Sequence, residues 1–264
     1  MAKHKDFSEL FDPSKPMLEV RNLTRLYPQK GGSLFRKPKQ VHAVDGVSFT
    51  LQEREIFGVI GESGCGKSTL GRLLIRLEEP TSGEIDFYGV STRKLLDANP
   101  EQFHCLVQSV FQNPFDTFTP SDTIGAIMER PLKLHNIGDS DEERRQICVD
   151  ALTEGGLIPA ESFLSRYPHE LSGGQLQRVL LAVATRPHPD LLILDEAGSA
   201  EELDMVDVDL LKKAVLERPA GCECVLTAHT PPQWMLDAAD YSTEMKCHRH
   251  PYQKGIKARK GIEY

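Results

Sequence analysis

Short apolar runs and stretches of helical period take turns along this chain. Residues 17–23 alternate well enough for a strand, which Tyr27-Pro28 is expected to end. Residues 41–51 give the next strand material, with a turn at Asp45-Gly46. Ile56-Phe57-Gly58-Val59-Ile60 is a short apolar run, the pattern of a buried strand, and residues 69–77 carry apolar positions at helical spacing. After the turn Pro80-Thr81-Ser82-Gly83, residues 84–88 alternate again. Residues 105–111 read as another strand, closed by Gln112-Asn113-Pro114. From about 121 to 170 strand signals vanish and helical periodicity dominates. Residues 175–186 read as a helix, 191–194 as a second buried strand, 203–216 as a helix and 224–228 as a third core strand.

Buried strands alternating with helices mean an α/β fold with a mostly parallel sheet. The region from about 121 looks like a helical insertion in that core. Residues 1–16 are polar with two prolines and read as a loose lead-in. Residues 29–40, rich in Gly, Lys and Pro, read as an exposed loop.

Composition narrows the classes. The 264 residues suffice for one large α/β domain, or a core plus a small helical one. There are 39 acidic and 31 basic residues, a net charge of −8, which argues against broad nucleic-acid binding. No apolar run reaches the roughly 18 residues that a bilayer span needs, and the start lacks an apolar signal core behind its basic residues. The expected location is the cytosol, or a membrane reached through a partner. Six scattered cysteines fit reduced thiols rather than a disulfide framework. Cys222, Cys224, Cys247, His248 and His250 match no zinc spacing.

The chemistry starts at Gly61-Glu62-Ser63-Gly64-Cys65-Gly66-Lys67-Ser68, which fits G-x-x-x-x-G-K-[ST], the phosphate-binding loop. A strand precedes it and a helix entered at Thr69 follows, which is the context the motif requires. The glycines let the backbone approach a phosphate closely. Successive N–H groups and the helix start then face the anion. Lys67 is suited to the β- and γ-phosphates and the Ser68 hydroxyl to Mg²⁺.

Leu191-Leu192-Ile193-Leu194-Asp195-Glu196 is a buried strand ending in two acids. Asp195 would sit beside the phosphate loop and serve Mg²⁺. Glu196 would orient or deprotonate the attacking water. In Leu171-Ser172-Gly173-Gly174-Gln175, Ser and two glycines open a helix, a second anion-binding N-terminus. One nucleotide does not need two such cradles in cis. The pattern makes sense if two chains pair head to tail, each capping the other's nucleotide.

With these motifs in this order, the chain resembles the ATP-binding subunits of ABC transporters over roughly residues 17–245. Within them it is most similar to the oligopeptide/dipeptide or nickel importer subunits. The shared stretches are Tyr27-Pro28, VHAVDGVSF from Val41, GESGCGKSTLGR from Gly61, VFQNPF from Val110, and Tyr167-Pro168-His169-Glu170 before LSGGQLQR. The resemblance implies a P-loop NTPase core with an antiparallel β subdomain and a helical subdomain at about 121–175, followed by a short tail at 246–264. It implies ATP and Mg²⁺ as cofactors. Tyr27 corresponds to the aromatic that stacks on adenine, and Gln112 to the glutamine that approaches Mg²⁺ and senses the membrane partner. Ser172, Gly173 and Gly174 would contact the γ-phosphate held by the other protomer, and His229 corresponds to the switch histidine. The implied partners are a second ATP-binding subunit (the same chain or a sister), transmembrane permease subunits and, indirectly, a solute-binding protein, at the cytoplasmic side of the membrane. The implied work is ATP hydrolysis that energises import of peptides or a related small solute.

The carboxyl-terminal third departs from that pattern. Ala197 stands where proline is usual, and Glu201-Glu202 look inserted in the loop that crosses the dimer interface. Val183 replaces an arginine usual in the helix after LSGGQ, and Thr230-Pro231-Pro232 follows His229 where an aspartate is usual. These departures leave open a nucleotide-dependent regulatory or interaction subunit with weak turnover.

Overall fold

The computed structural model describes residues 7–28, 40–110, 117–195, 208–218 and 221–246. Two sheets organise the chain. The first is antiparallel, built from β1 (Leu18–Pro28), β2 (Gln40–Leu51), β4 (Ser82–Phe87) and β5 (Val90–Ser91) in the order β2-β1-β4-β5. The second is parallel, built from β3 (Ile56–Gly61), β6 (Val107–Val110), β7 (Leu191–Leu194), β8 (Glu223–Ala228) and β9 (Tyr241–Met245) in the order β6-β7-β8-β3-β9. β7 and β8 are buried at every residue, as expected of strands covered on both faces.

Alternate residues of the parallel sheet face two different cores. Leu191, Ile193, Val225, Phe57 and Val59 pack with α1 (Lys67–Leu74) and the antiparallel sheet. Leu192, Leu194, Cys224 and Leu226 pack with a helical layer. That layer comprises α4 (Ile124–Leu134), α5 (Asp141–Glu154), α6 (Ala160–Leu164) and α7 (Gly173–Thr185), preceded in sequence by α2 (Thr92–Ala98) and α3 (Pro100–Leu106). α8 (Val208–Leu216) and α9 (Gln233–Ala238) flank β8 in sequence.

Some local expectations change. Asp45-Gly46 is not a turn between strands. β2 runs through it, and Gly46, at φ 66°, sits where the pairing register with β1 shifts. β1 does end at Tyr27-Pro28, as expected, with Pro28 still paired with Gln40. Cys105 and Leu106 close α3 rather than open a strand, since Asn99 caps that helix and Pro100 starts it. The lead-in is not loose throughout: Phe7 is 1% exposed and Phe11 packs on Tyr88, with ring centroids 5.1 Å apart. β9 had no sequence signal, because Tyr-Ser-Thr-Glu-Met keeps most of its side chains exposed.

Candidate functional site

Every parallel strand runs the same way, so the ends of β3, β6, β7, β8 and β9 lie along one edge of the sheet. The phosphate loop leaves β3 at Gly61. Gly64 and Gly66 have φ 76° and 103°, in the left-handed region where a side chain is strained. Space adds a second constraint. A Cβ at Gly66 would lie 2.0 Å from the Ala43 carbonyl oxygen of β2, and one at Gly61 would lie 2.4 Å from the Met245 carbonyl oxygen of β9. The loop is thus pinned between a strand of each sheet.

Lys67 is buried at 3% exposure, and its Nζ donates to the Gly61 carbonyl at 2.7 Å and the Glu62 carbonyl at 3.1 Å. Its ammonium is therefore held against the backbone of the loop. Cys65 is buried, Ser68 and Thr69 are half-buried, and Glu62, Ser63 and Gly64 are exposed. Tyr27 is half-buried on β1. Its hydroxyl donates to Glu78 and the Arg25 guanidinium lies over its ring at 4.7 Å. Burial and then the Glu78 bond push its phenol up from the ordinary value.

Asp195 follows β7 directly. Its N–H donates to the Val110 carbonyl at 2.9 Å, and its Oδ1 accepts the Thr227 hydroxyl at 2.7 Å. A carboxylate and the Ser68 hydroxyl are hard oxygen donors, the set that Mg²⁺ takes. His229 comes just after β8. It is exposed, and its Nδ1 lies 3.1 Å from the Thr230 hydroxyl. Gln112 and Glu196 lie outside the described residues.

The LSGGQ stretch forms a capped helix start. Leu171 is buried, and Ser172 caps α7. The Ser172 hydroxyl oxygen accepts from the Gln175 N–H at 3.3 Å, while the Gln175 Oε1 accepts from the Ser172 N–H at 3.0 Å. This reciprocal box leaves the first-turn N–H groups of Gly173 and Gly174 without an intrahelical acceptor. α7 packs on the sheet face that carries Leu192 and Leu194, through Leu176, Val179 and Leu180. α1 packs on the other face, through Leu70, Leu73 and Leu74. The two helix starts therefore belong to opposite faces of one sheet.

A family profile described as ABC transporter matches residues 44–199, more than half the chain. The chain belongs to the ABC transporter family. Its ABC relatives include the oligopeptide transport ATP-binding protein AppF of Bacillus subtilis, 42% identical over 190 residues, which are 72% of this chain. They include the dipeptide transport ATP-binding protein DppF of Haemophilus influenzae, 40% identical over 214 residues, which are 81% of this chain. The chain spans 57% and 64% of those two proteins' lengths. Among solved structures, a dimeric ABC cassette in a post-hydrolysis state, bound to ADP and Pi, superposes with a TM-score of 0.70 at 28% identity. That match covers 87% of this chain and 94% of the other. The ABC fold expected from the motifs, with its antiparallel sheet, parallel sheet and helices, is the fold observed. A second profile, ATP:corrinoid adenosyltransferase BtuR/CobO/CobP, matches residues 169–264, just over a third of the chain. It covers every carboxyl-terminal departure noted above.

No helix among the described residues is long and apolar enough to cross a membrane. The described residues hold no group of three or more His, Cys, Asp or Glu able to bind a metal ion. Cys222 and Cys224 are both buried, and burial pushes both thiols up, Cys222 to about 12. Two contributors went unread in the sequence. Thr227 is a hydroxyl in the otherwise apolar run of residues 224–228, a signal that was there to be found. The Met245 carbonyl is a backbone group, and no side-chain pattern announces it.

Proposed function

We propose that this chain is an ATP-binding and hydrolysing subunit that energises an ABC importer of peptides or a related small solute. The carrying observation is the placement of the two helix starts on opposite faces of the parallel sheet. A single nucleotide at Gly61–Ser68 then cannot also meet Ser172–Gly174 of the same chain, so a second ATP-binding subunit supplies that contact. Residues 17–245 would form the ATP-binding unit, with the helical subdomain at about 121–175 and a tail at 246–264.

The roles follow from chemistry at each position. Backbone N–H groups from Gly61 to Thr69 hold the phosphates, and Lys67 exchanges its loop carbonyls for β- and γ-phosphate oxygens. Ser68, Asp195 and Gln112 would hold Mg²⁺, partly through water. When bound, the ion neutralises charge on the phosphate oxygens. Glu196 is the general base for the attacking water, and His229 contacts the γ-phosphate. Tyr27 lies beside adenine. Ser172 and the N–H groups of Gly173 and Gly174 cap the partner's nucleotide, with Leu171 and Gln175 fixing that helix start. Permease subunits would hold the chain at the cytoplasmic side of the membrane, and a solute-binding protein would act through them. The names of AppF and DppF support the peptide assignment.

Phosphate release by the purified chain tests this reading. Glu196→Gln is expected to keep ATP binding and to lose steady hydrolysis, on the order of 10²-fold or more for removal of a general base. Undiminished release by that variant would remove Glu196 from the role. One observation favours a second reading. The adenosyltransferase profile covers Glu196 and everything after it, whereas the ABC match stops at residue 199. A nucleotide-dependent regulatory or interaction subunit with weak turnover fits that composition. Wild-type release that stays near background, with or without membrane partners, would select it.

A further inference from the structure

Asp195 and Thr227 sit side by side on neighbouring strands. β7 and β8 pair in parallel with Leu194 opposite Leu226, so the next residues on each strand, Asp195 and Thr227, are neighbours. Ile193 and Val225, two residues earlier, belong to the core that contains α1. Strand alternation puts the Asp195 and Thr227 side chains on that same face, the one on which Lys67 and Ser68 open the helix. Thr227 is also opposite Val59 of β3, so it stands between the carboxylate and the strand that feeds the phosphate loop. Both side chains are buried, at 8% and 2% exposure. The Thr227 hydroxyl donates to Asp195 Oδ1 at 2.7 Å.

We propose that Thr227 is the positioning residue for the Mg²⁺ carboxylate. Its hydroxyl fixes Oδ1 and so sets the torsion of the carboxylate and the direction of Oδ2. A ligand carboxylate that is itself hydrogen-bonded needs no reordering when the ion arrives, which is how outer partners raise metal affinity. A buried β-branched side chain suits the task, because χ1 of threonine is stiff. The inference rests on the reading of Asp195 as the Mg²⁺ carboxylate.

The experiment is a Mg²⁺ titration of nucleotide binding, using a fluorescent ATP analogue and the full chain. Thr227→Val keeps the shape of the side chain and removes the hydroxyl. It is expected to raise the Mg²⁺ half-saturation point about 10-fold or more, the size typical of outer partners, while binding without Mg²⁺ changes little. Thr227→Ser is expected to restore the wild-type midpoint. Asp195→Asn is expected to abolish the Mg²⁺ response. An unchanged midpoint for Thr227→Val overturns the proposal. If Asp195→Asn also leaves the midpoint unchanged, the reading of Asp195 fails instead. Thermal unfolding of each apo variant checks the fold, and Thr227→Ala, with the same expected shift, replaces the valine variant should that one not fold.

Discussion

At Gly66 the backbone and its neighbours impose one requirement twice. A φ of 103° disfavours any side chain, and the Ala43 carbonyl oxygen already fills the space that a Cβ would take. The glycine visible in the motif is thus required by the antiparallel sheet as well as by a phosphate. Lys67 shows the converse economy, holding its charge on the loop's own carbonyls inside a buried setting. At the opposite edge of the parallel sheet, Glu223 is fully buried. Its Oε1 accepts the Arg54 N–H at 2.6 Å, while Oε2 is buried with no hydrogen-bond partner among the described residues. Burial pushes its carboxyl up from 4.5 to about 7, with Asp190 and Glu53 adding repulsion. Asp190 is itself pushed up to about 6, by burial and by Glu53. The sign follows from linkage: a folded pKa above the unfolded one means that the native state holds the proton more tightly. The stabilisation is complete below about pH 4.5 and is lost as pH rises through about 7. Glu223→Gln keeps the acceptor for Arg54 and removes the titration. Relative to wild type it is expected to gain about 2–3 kcal/mol between those limits, read as the difference in unfolding midpoint against pH. A constant difference from pH 4 to 8 would show that Glu223 does not titrate in this range.

The elements that could be read from the chain are those whose pattern is set by burial alone. β7, Leu191–Leu194, is buried at every position and matched its apolar run residue for residue. β3 and β8 were each legible to within one residue of their ends for the same reason. Illegible elements depend on partners distant in sequence. β9 is a polar edge strand that exists because it pairs with Phe57–Gly61. The bulge at Gly46 exists because β1 continues beside it. The phosphate loop and the LSGGQ helix were legible because backbone chemistry dictates them locally. The Thr227–Asp195 contact was not, since it spans 32 positions between strands. At α7 the observed structural role and the proposed functional one fall on one residue, Ser172, which caps the helix. The two roles separate by substitution. Ser172→Ala is expected to cost about 1 kcal/mol of stability through the lost cap. Ser172→Asp caps equally well but sets a negative charge where a phosphate is to be received. It is expected to unfold near the wild-type midpoint while losing ATP-stimulated phosphate release. An active Ser172→Asp chain would mean that no phosphate meets this helix start.

On the scale of the whole molecule, one sheet serves two cores and carries the phosphate-loop helix on one face and the LSGGQ helix on the other. On the proposed function such a chain is a half-site twice over: its phosphate loop lacks a cap, and its LSGGQ helix lacks a nucleotide to cap. Two subunits arranged head to tail, either two copies or this chain and a sister, would remove both deficits together. β8 pairs with β7 on one side and with β3 on the other in unbroken register, so the segments before and after residue 200 share one sheet. The shared-site geometry makes a quantitative demand on mixtures of defective chains. Lys67→Ala spoils the loop and leaves the LSGGQ helix intact, and Ser172→Asp does the reverse. Each variant alone is expected to release phosphate near background. In an equal mixture, half of randomly formed pairs contain one of each, and each such pair has one site with both halves intact. Recovery of about a quarter of wild-type phosphate release is therefore expected. Sites completed within single chains, or only with a sister subunit, would give no recovery at any ratio, and the measured release against mixing ratio separates both from a pair of identical chains.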